Sequence, residues 1–195
     1  AIAAEVNVTS EESVKEMVEK AVSEFGKVDI LVNNAGITQP IKVIDTTIED
    51  WERIINVNLT GTFLATKAVL PSMLDQEFGR IINISSVSAK RGGGVFGGAH
   101  YSAAKAGMLG FAKALAREVS PSGITVNSLA PGLCATDIRG GLEEEEERQK
   151  MTQDIPCRRM GTPEEIGAAV CYLASEEAGY ITGEDIDING GSHMD

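Results

Sequence analysis

Residues 28–36 read Val-Asp-Ile-Leu-Val-Asn-Asn-Ala-Gly, a short apolar run that ends in polar residues and a glycine. Apart from Asp29, the run lacks the alternation of polar and apolar side chains that a half-buried strand shows, and this is typical of strands inside a parallel sheet. Before the run, apolar residues recur at helical spacing up to Gly26: Val14, Met17, Val18, Ala21, Val22 and Phe25. The pattern predicts a helix followed by a buried strand at residues 28–33.

The same alternation of short and long apolar segments continues along the chain. Further strands are predicted at residues 1–8 (the remnant of a strand), 80–85, 124–130 and 185–189. Further helices are predicted at residues 48–75, at residues 101–119 and after Thr162, and Thr9 with Glu12 predicts a capping box that opens the first helix. Five strands that alternate with four main helices predict parallel strand-helix units in one α/β domain over residues 1–195.

The composition of the chain excludes several classes of function. The chain has 195 residues, of which 43% are hydrophobic and 24% are charged, so it can form a core and is not a disordered chain. The formal net charge of -12 disfavours nucleic acids and anionic membrane surfaces as partners. Three widely spaced cysteines and two histidines offer no metal-ligand pattern. The chain has neither a membrane-length apolar run nor a basic leader at its start, so a cytoplasmic location is expected.

One long irregular stretch separates the predicted strand at residues 124–130 from Thr162. It contains five consecutive glutamates at residues 143–147. Such a run is typical of a solvated surface, and we interpret the stretch as a flexible or helical lid beside a cleft.

Tyr101 and Lys105 form the most informative pair in the sequence. Residues four apart share one face of a helix, so the Lys105 ammonium can lie near the Tyr101 hydroxyl. A phenol has a pKa of about 10, and a nearby fixed cation lowers the pKa toward neutrality. The pair could therefore exchange a proton with an alcohol or a carbonyl group.

Other polar motifs follow the predicted strands in order, at the edge of a parallel sheet where ligands bind. They are Asn33-Asn34-Ala35-Gly36, Asn58-Leu59-x-Gly61, Ser85-Ser86 and Pro131-Gly132-x-x-x-Thr136. Together with the tyrosine and lysine motif, this order of motifs resembles the classical short-chain dehydrogenase/reductase family over essentially the whole chain. Within that family, the sequence most resembles the 3-oxoacyl-acyl carrier protein reductases. The resemblance implies a Rossmann-like doubly wound parallel sheet with helices on both faces.

The resemblance also implies a catalytic set made of Asn58, Ser86, Tyr101 and Lys105. Tyr101 would act as general acid in reduction and as general base in oxidation. Ser86 would hydrogen-bond the substrate oxygen, and Lys105 would lower the Tyr101 pKa and bind the nicotinamide ribose. Asn58 would hold a water that links Lys105 to solvent.

The cofactor implied by the resemblance is NAD or NADP, and the sequence does not distinguish the two. The resemblance assigns to it Asn7, Val8, Asn34, Ala35, Gly36, Tyr101, Lys105, Pro131, Gly132, Cys134 and Thr136. We interpret His100 as a structural residue, and no metal is implied.

Two departures from the family pattern stand out. The run Gly92-x-Gly94-x-x-Gly97 matches a dinucleotide fingerprint, but it lies between Ser86 and Tyr101 rather than after a first strand, so we interpret it as a loop beside the substrate pocket. The glycine-rich phosphate loop of the family has no counterpart, which suggests that a first strand-helix-strand-helix portion precedes residue 1 in a longer protein.

Several functions remain open at this point. The resemblance predicts hydride transfer between a nicotinamide cofactor and a secondary alcohol or ketone, either a small polyol, sugar or hydroxy compound or a 3-oxoacyl thioester. Glu77 and Ser122 stand where carrier-protein reductases have basic residues, and the negative net charge favours the small neutral substrate. The alternatives are a non-catalytic fragment that has lost cofactor binding, and a nucleotide-sugar epimerase. The resemblance also implies a homotetramer or homodimer that pairs the helices at residues 48–75 and 101–119 with their copies.

Overall fold

The computed structural model describes residues 1–93, 97–136 and 145–194. In these ranges the chain forms one parallel sheet in the order β1-β2-β3-β4. The strands are β1 (Ile30–Asn33), β2 (Gly79–Ile84), β3 (Ile124–Pro131) and β4 (Asp185–Ile188). The predicted parallel α/β class is confirmed.

The helices fall close to the predicted positions. They are α1 (Glu11–Phe25), α2 (Ile48–Ile55), α3 (Gly61–Asp75), α4 (Ser88–Arg91), α5 (Ala99–Val119), α6 (Glu145–Thr152) and α7 (Pro163–Ala174). Thr47 caps α2, and Thr162 opens α7 with the predicted capping box. The predicted helix at residues 48–75 is divided, because a π-helical turn at Asn56–Thr60 separates α2 from α3.

Two predictions for the beginning of the chain are wrong. Residues 1–8 form no strand. Instead, the Asn7 side chain closes a turn by accepting hydrogen bonds from the backbone N–H and the hydroxyl of Thr9. The second wrong prediction is the capping box of Thr9 with Glu12. Because Thr9 is engaged in the turn, the next residue, Ser10, caps α1 by accepting from the backbone N–H of Ser13 at 3.3 Å.

Helices cover both faces of the sheet, as predicted. On one face, α1, α3 and α5 bury a core that includes Val69, Ile81 and Val126. On the other face, α7 packs over β2, β3 and β4 through Leu173. The prediction that the strand at residues 28–33 is buried holds for only one face, because Ile30 and Val32 are 45% and 39% exposed on the face where α7 does not reach β1.

The stretch that was interpreted as a lid lies only partly within the described residues. Of the glutamate run, residues 143 and 144 lie outside the described ranges, whereas residues 145–147 begin α6. Residues 94–96 of the glycine-rich loop also lie outside them. Among the helices that the structure describes, none is long and apolar enough to cross a membrane.

Candidate functional site

A cleft of about 650 Å³ opens at the carboxyl ends of β1, β2 and β3. Among the predicted site residues, it is lined by Asn34, Gly36, Ser86, Tyr101, Lys105, Pro131, Gly132, Cys134 and Thr136. Asn58 lies behind this wall and is fully buried, whereas Asn7, Val8 and Ala35 do not line the cleft. The structure therefore brings together most of the predicted site.

Tyr101 lies in the first turn of α5 and is hydrogen-bonded to Ser86, which follows β2. The Ser86 hydroxyl also accepts a hydrogen bond from the backbone N–H of Ser88 at 3.1 Å. The aromatic ring lies against Gly97, where an added Cβ would come within 2.7 Å of the ring. Gly97 therefore belongs to the wall that holds the tyrosine, a role different from cofactor binding.

Lys105 is only 4% exposed. Its ammonium donates a hydrogen bond to the Ile84 carbonyl at 2.8 Å and lies 5.7 Å from the centre of the Tyr101 ring. The backbone of Lys105 is also fixed, because the Ser85 hydroxyl donates to its carbonyl at 2.9 Å. The end of β2 thus holds both the side chain and the backbone of this lysine.

The two pKa values differ from the expectation for an ion-stabilised phenolate. Burial raises the pKa of Tyr101 above its ordinary value of 10, and the hydrogen bond from Ser86 opposes this in part. Burial also lowers the pKa of Lys105 to about 8. The net shift of the Tyr101 pKa is therefore opposite to the predicted one, because burial disfavours the charged form of both groups, and the lowering of this pKa by Lys105 stays a prediction.

Asn58 sits in the π-helical turn between α2 and α3. Its amide nitrogen donates to the carbonyls of Ile37 and Ile54, both at 2.9 Å. Its buried amide oxygen has no hydrogen-bond partner in the described part of the chain. A Cβ added to Gly36 would lie 2.8 Å from this oxygen and 3.5 Å from the Lys105 nitrogen. An acceptor and an ammonium thus face the same small space, which suits the predicted water between them.

The loop after β3 forms the opposite wall. The Leu133 carbonyl accepts from the backbone N–H of Gly161, and the Gly161 carbonyl accepts from that of Ala135. Gly132 has to be a glycine here, because an added Cβ would approach the Asn189 backbone to 2.8 Å. These bonds fix the backbone on both sides of Cys134 and place Thr136 on the cleft.

The residues present fit the nicotinamide end of a dinucleotide. An ammonium has three N–H groups and Lys105 uses one on Ile84, so others can serve the ribose hydroxyls. The fixed loop from Pro131 to Thr136 offers backbone and hydroxyl groups on the facing wall. Asn7 and Val8, which the resemblance assigns to the adenine edge of the cofactor, do not line this cleft, and their assignment stays a prediction.

Sequence reasoning missed several residues that line the cleft. They are Thr38, Arg91, Lys150, Asp154 and Ser192, together with apolar residues that include Met151 and Ile155. Thr38 and Arg91 adjoin the motifs at residues 33–36 and 92–97, but neither residue belongs to a motif itself. The residues between 150 and 155 belong to the irregular stretch that was predicted to lie beside the cleft, although no pattern marks them individually. Among the described residues, no cluster of histidine, cysteine and carboxylate side chains could hold a metal ion.

Replacing Gly36 with alanine is expected to disturb the site directly. Asn58 cannot easily retreat, because two hydrogen bonds hold its amide. We expect Gly36→Ala to cost about 1–3 kcal/mol in the free energy of unfolding and to weaken NADH or NADPH binding. Denaturant unfolding and fluorescence titration measure the two effects. Gly110→Ala in α5 is the matched control, since nothing lies within 4 Å of its added Cβ. An equal effect in both variants would refute the crowding argument.

Comparisons with known proteins agree with this arrangement. A family profile described as enoyl-(acyl carrier protein) reductase matches residues 1–193. An uncharacterised short-chain type dehydrogenase/reductase of Sinorhizobium fredii is 48% identical over 89% of this chain and 68% of its own length. An acetoacetyl-CoA reductase of Cupriavidus necator is 46% identical over 99% of this chain and 77% of its own length. A 3-oxoacyl-[acyl-carrier-protein] reductase of Vibrio cholerae is 47% identical over 97% and 76%, respectively.

Proposed function

The chain belongs to the short-chain dehydrogenase/reductase family, and on that premise we propose that its cleft reduces the ketone of a 3-oxoacyl thioester to an alcohol. Members of this family are oxidoreductases that use NAD or NADP and act on alcohol or ketone groups. The single observation that carries the proposal is the cluster of Ser86, Tyr101 and Lys105 on one cleft.

The protonation state of Tyr101 suits the reductive direction. Its raised pKa keeps the phenol protonated at neutral pH, which is the form that a general acid needs. Tyr101 then donates its proton to the carbonyl oxygen as that oxygen becomes an alcohol. NADH or NADPH, when bound, supplies the hydride that the carbonyl carbon receives.

The neighbouring side chains assist this proton transfer. The Ser86 hydroxyl, within hydrogen-bonding reach of Tyr101, donates to the same substrate oxygen and stabilises its developing charge. Lys105 would hold the ribose hydroxyls of the bound cofactor. A water on the Asn58 amide oxygen, which has no partner among the described residues, links Lys105 to solvent, and solvent supplies through them the proton that each reduction takes from Tyr101.

The thioester is supported by the names of the similar reductases and by the charges of the cleft. Among the described charged residues on its wall, Arg91, Lys105 and Lys150 outnumber the single carboxylate, Asp154, and this positive balance attracts the phosphates of coenzyme A. An acidic carrier protein would instead meet the surface of a chain with net charge -12, including exposed Glu77. We therefore favour coenzyme A as the carrier.

A small neutral alcohol or ketone is the second candidate, favoured by the same net charge and by Glu77 and Ser122. Steady-state oxidation of NADH and of NADPH with acetoacetyl-CoA, set beside reduction of NAD⁺ and NADP⁺ with a polyol such as sorbitol, decides between the two. A higher kcat/KM for acetoacetyl-CoA is expected, and a higher value for the polyol would overturn the thioester. Failure to bind either reduced cofactor in a fluorescence titration would instead support a non-catalytic fragment.

Assembly into a homotetramer is proposed on family grounds. Exposed apolar side chains on α2 and α3, namely Trp51 at 43% and Phe63 at 44%, are consistent with contacts between copies. Light scattering that gives the mass of one chain would overturn this proposal.

A further inference from the structure

Gln39 joins three separate elements beside the cleft. It lies in the loop between β1 and α2, next to the cleft residue Thr38. Its side-chain nitrogen donates to the Asp50 carboxylate at 2.9 Å, and its side-chain oxygen accepts from the Arg53 guanidinium at 3.0 Å. The same oxygen lies 3.3 Å from the Nε2 atom of His100 in α5. A single side chain therefore connects α2 with the first turn of α5.

The charged partners decide which way the Gln39 amide points. A carboxylate such as Asp50 only accepts hydrogen bonds, and a guanidinium such as Arg53 only donates them. The amide nitrogen must therefore face Asp50, and the amide oxygen must face Arg53 and His100. It follows that Nε2 of His100 carries the proton and donates to Gln39, which fixes the tautomer of this 1% exposed histidine.

The backbone of Gln39 makes a second connection to α5. Its carbonyl accepts a hydrogen bond from the N–H of Gly98 at 3.0 Å. Gly98 occupies the N-cap position of α5 and supplies no side-chain cap. It is also tightly enclosed, because an added Cβ would lie 2.7 Å from both the Ile41 carbonyl and the His100 ring. The loop that carries Gln39 thus holds the start of α5 where a capping side chain is missing.

Tyr101 follows His100 directly and lies in this same first turn. Its ring is held by Gly97 on one side and its hydroxyl by Ser86 on the other. We propose that Gln39 is a positioning residue for Tyr101, which it places for proton transfer by fixing His100 and Gly98 at the start of α5. The proposal rests on the function proposed above for Tyr101, although Gln39 touches neither the tyrosine nor the substrate.

Gln39→Leu tests the proposal by removing the three side-chain bonds while keeping similar bulk. Gln76→Leu is the matched control, because Gln76 is also half-buried and donates to the Val28 and Phe78 carbonyls, away from α5. His100→Leu is a second variant that cuts the same connection from the other end and leaves Gln39 bonded to Asp50 and Arg53. It keeps the test informative if Gln39→Leu fails to fold.

The primary measurement is the titration of Tyr101 by NMR in protein labelled at the tyrosine ring carbon that bears the hydroxyl. The chain has three tyrosines, and Tyr172 and Tyr180 are 52% and 102% exposed. A Tyr101→Phe sample assigns the remaining signal. Burial is the larger influence on the Tyr101 pKa, so a loosened first turn is expected to move that pKa down toward 10. The shift is expected in Gln39→Leu and His100→Leu and not in Gln76→Leu.

The second measurement is turnover of acetoacetyl-CoA. Misplacement of a reacting group by a fraction of an ångström to 1 Å lowers the rate without removing binding groups, so we expect kcat to fall about ten-fold while KM changes little. A Tyr101 titration that is the same in both variants as in Gln76→Leu would overturn the proposal. Because the titration needs no substrate, it tests the effect of Gln39 on Tyr101 even if the wild-type protein is inactive. Such inactivity would count against the proposed function only.

Discussion

Tyr101→Phe is expected to lower kcat for acetoacetyl-CoA reduction by about 10³-fold, within the range that a positioned general acid contributes. The substitution removes only the hydroxyl, so the ring keeps its contact with Gly97. The half-buried Ser86 hydroxyl loses one partner and keeps the backbone N–H of Ser88 as another. Stability is therefore expected to change by less than about 1 kcal/mol.

Turnover and binding separate the chemical role of the hydroxyl from a structural one. The affinity for NADPH or NADH, measured by fluorescence titration, should stay within a few-fold of that of the unaltered protein. Tyr180→Phe is the control, because this tyrosine is fully exposed and away from the cleft. A Tyr101→Phe protein that keeps more than a tenth of the wild-type kcat would show that another group delivers the proton.

Lys105→Met is expected to abolish useful turnover and, at neutral pH, to stabilise the fold. Burial lowers the pKa of Lys105 to about 8 from an ordinary value of 10.5. Below pH 8 the folded protein therefore holds a buried charge that the unfolded chain solvates freely. This difference corresponds to roughly 3 kcal/mol, and the unpaired Ile84 carbonyl in the variant costs about 1 kcal/mol, which leaves a gain of about 2 kcal/mol.

The sign of the pH dependence follows from proton binding. Between pH 8 and 10.5 the unfolded chain keeps the Lys105 proton that the folded chain has released, so the stability of the wild-type protein rises with pH across this window. The advantage of Lys105→Met should disappear over the same window. Denaturant unfolding at pH 7 and near pH 10 measures it, and Lys67→Met on the exposed surface of α3 is the control that makes the same substitution away from the cleft. A variant less stable than wild type at pH 7 would contradict the expected cost of burial.

The strands and helices could be predicted from the sequence where the pattern is local. The strand before Asn34 and the capping box at Thr162 depend on neighbouring residues only, and the structure agrees with both. The strand predicted at residues 1–8 failed because a strand needs a partner for its backbone groups, and no short pattern reveals whether one is present. The division of the helix at residues 48–75 by a π-helical turn also escaped, since the amphipathic pattern runs through it.

In the candidate site too, the features that short motifs carry could be predicted, and the features that depend on folding could not. Ser86, Tyr101 and Lys105 are carried by short motifs, and the structure brings them to one cleft. The Tyr101 pKa could not be predicted, because its direction depends on how deeply both ionisable groups are buried. Gln39 and His100 were missed as a pair because they are 61 positions apart and meet only through folding.

The uncovered face of β1 has a consequence for handling the protein in solution. Within residues 1–195, Ile30 and Val32 expose apolar side chains on one face of β1, and exposed apolar surface favours self-association. At neutral pH, electrostatic repulsion between chains of net charge -12 opposes this association. The repulsion vanishes near the isoelectric point of about 4.6, so acidification should precipitate the chain well before its carboxylates are fully protonated.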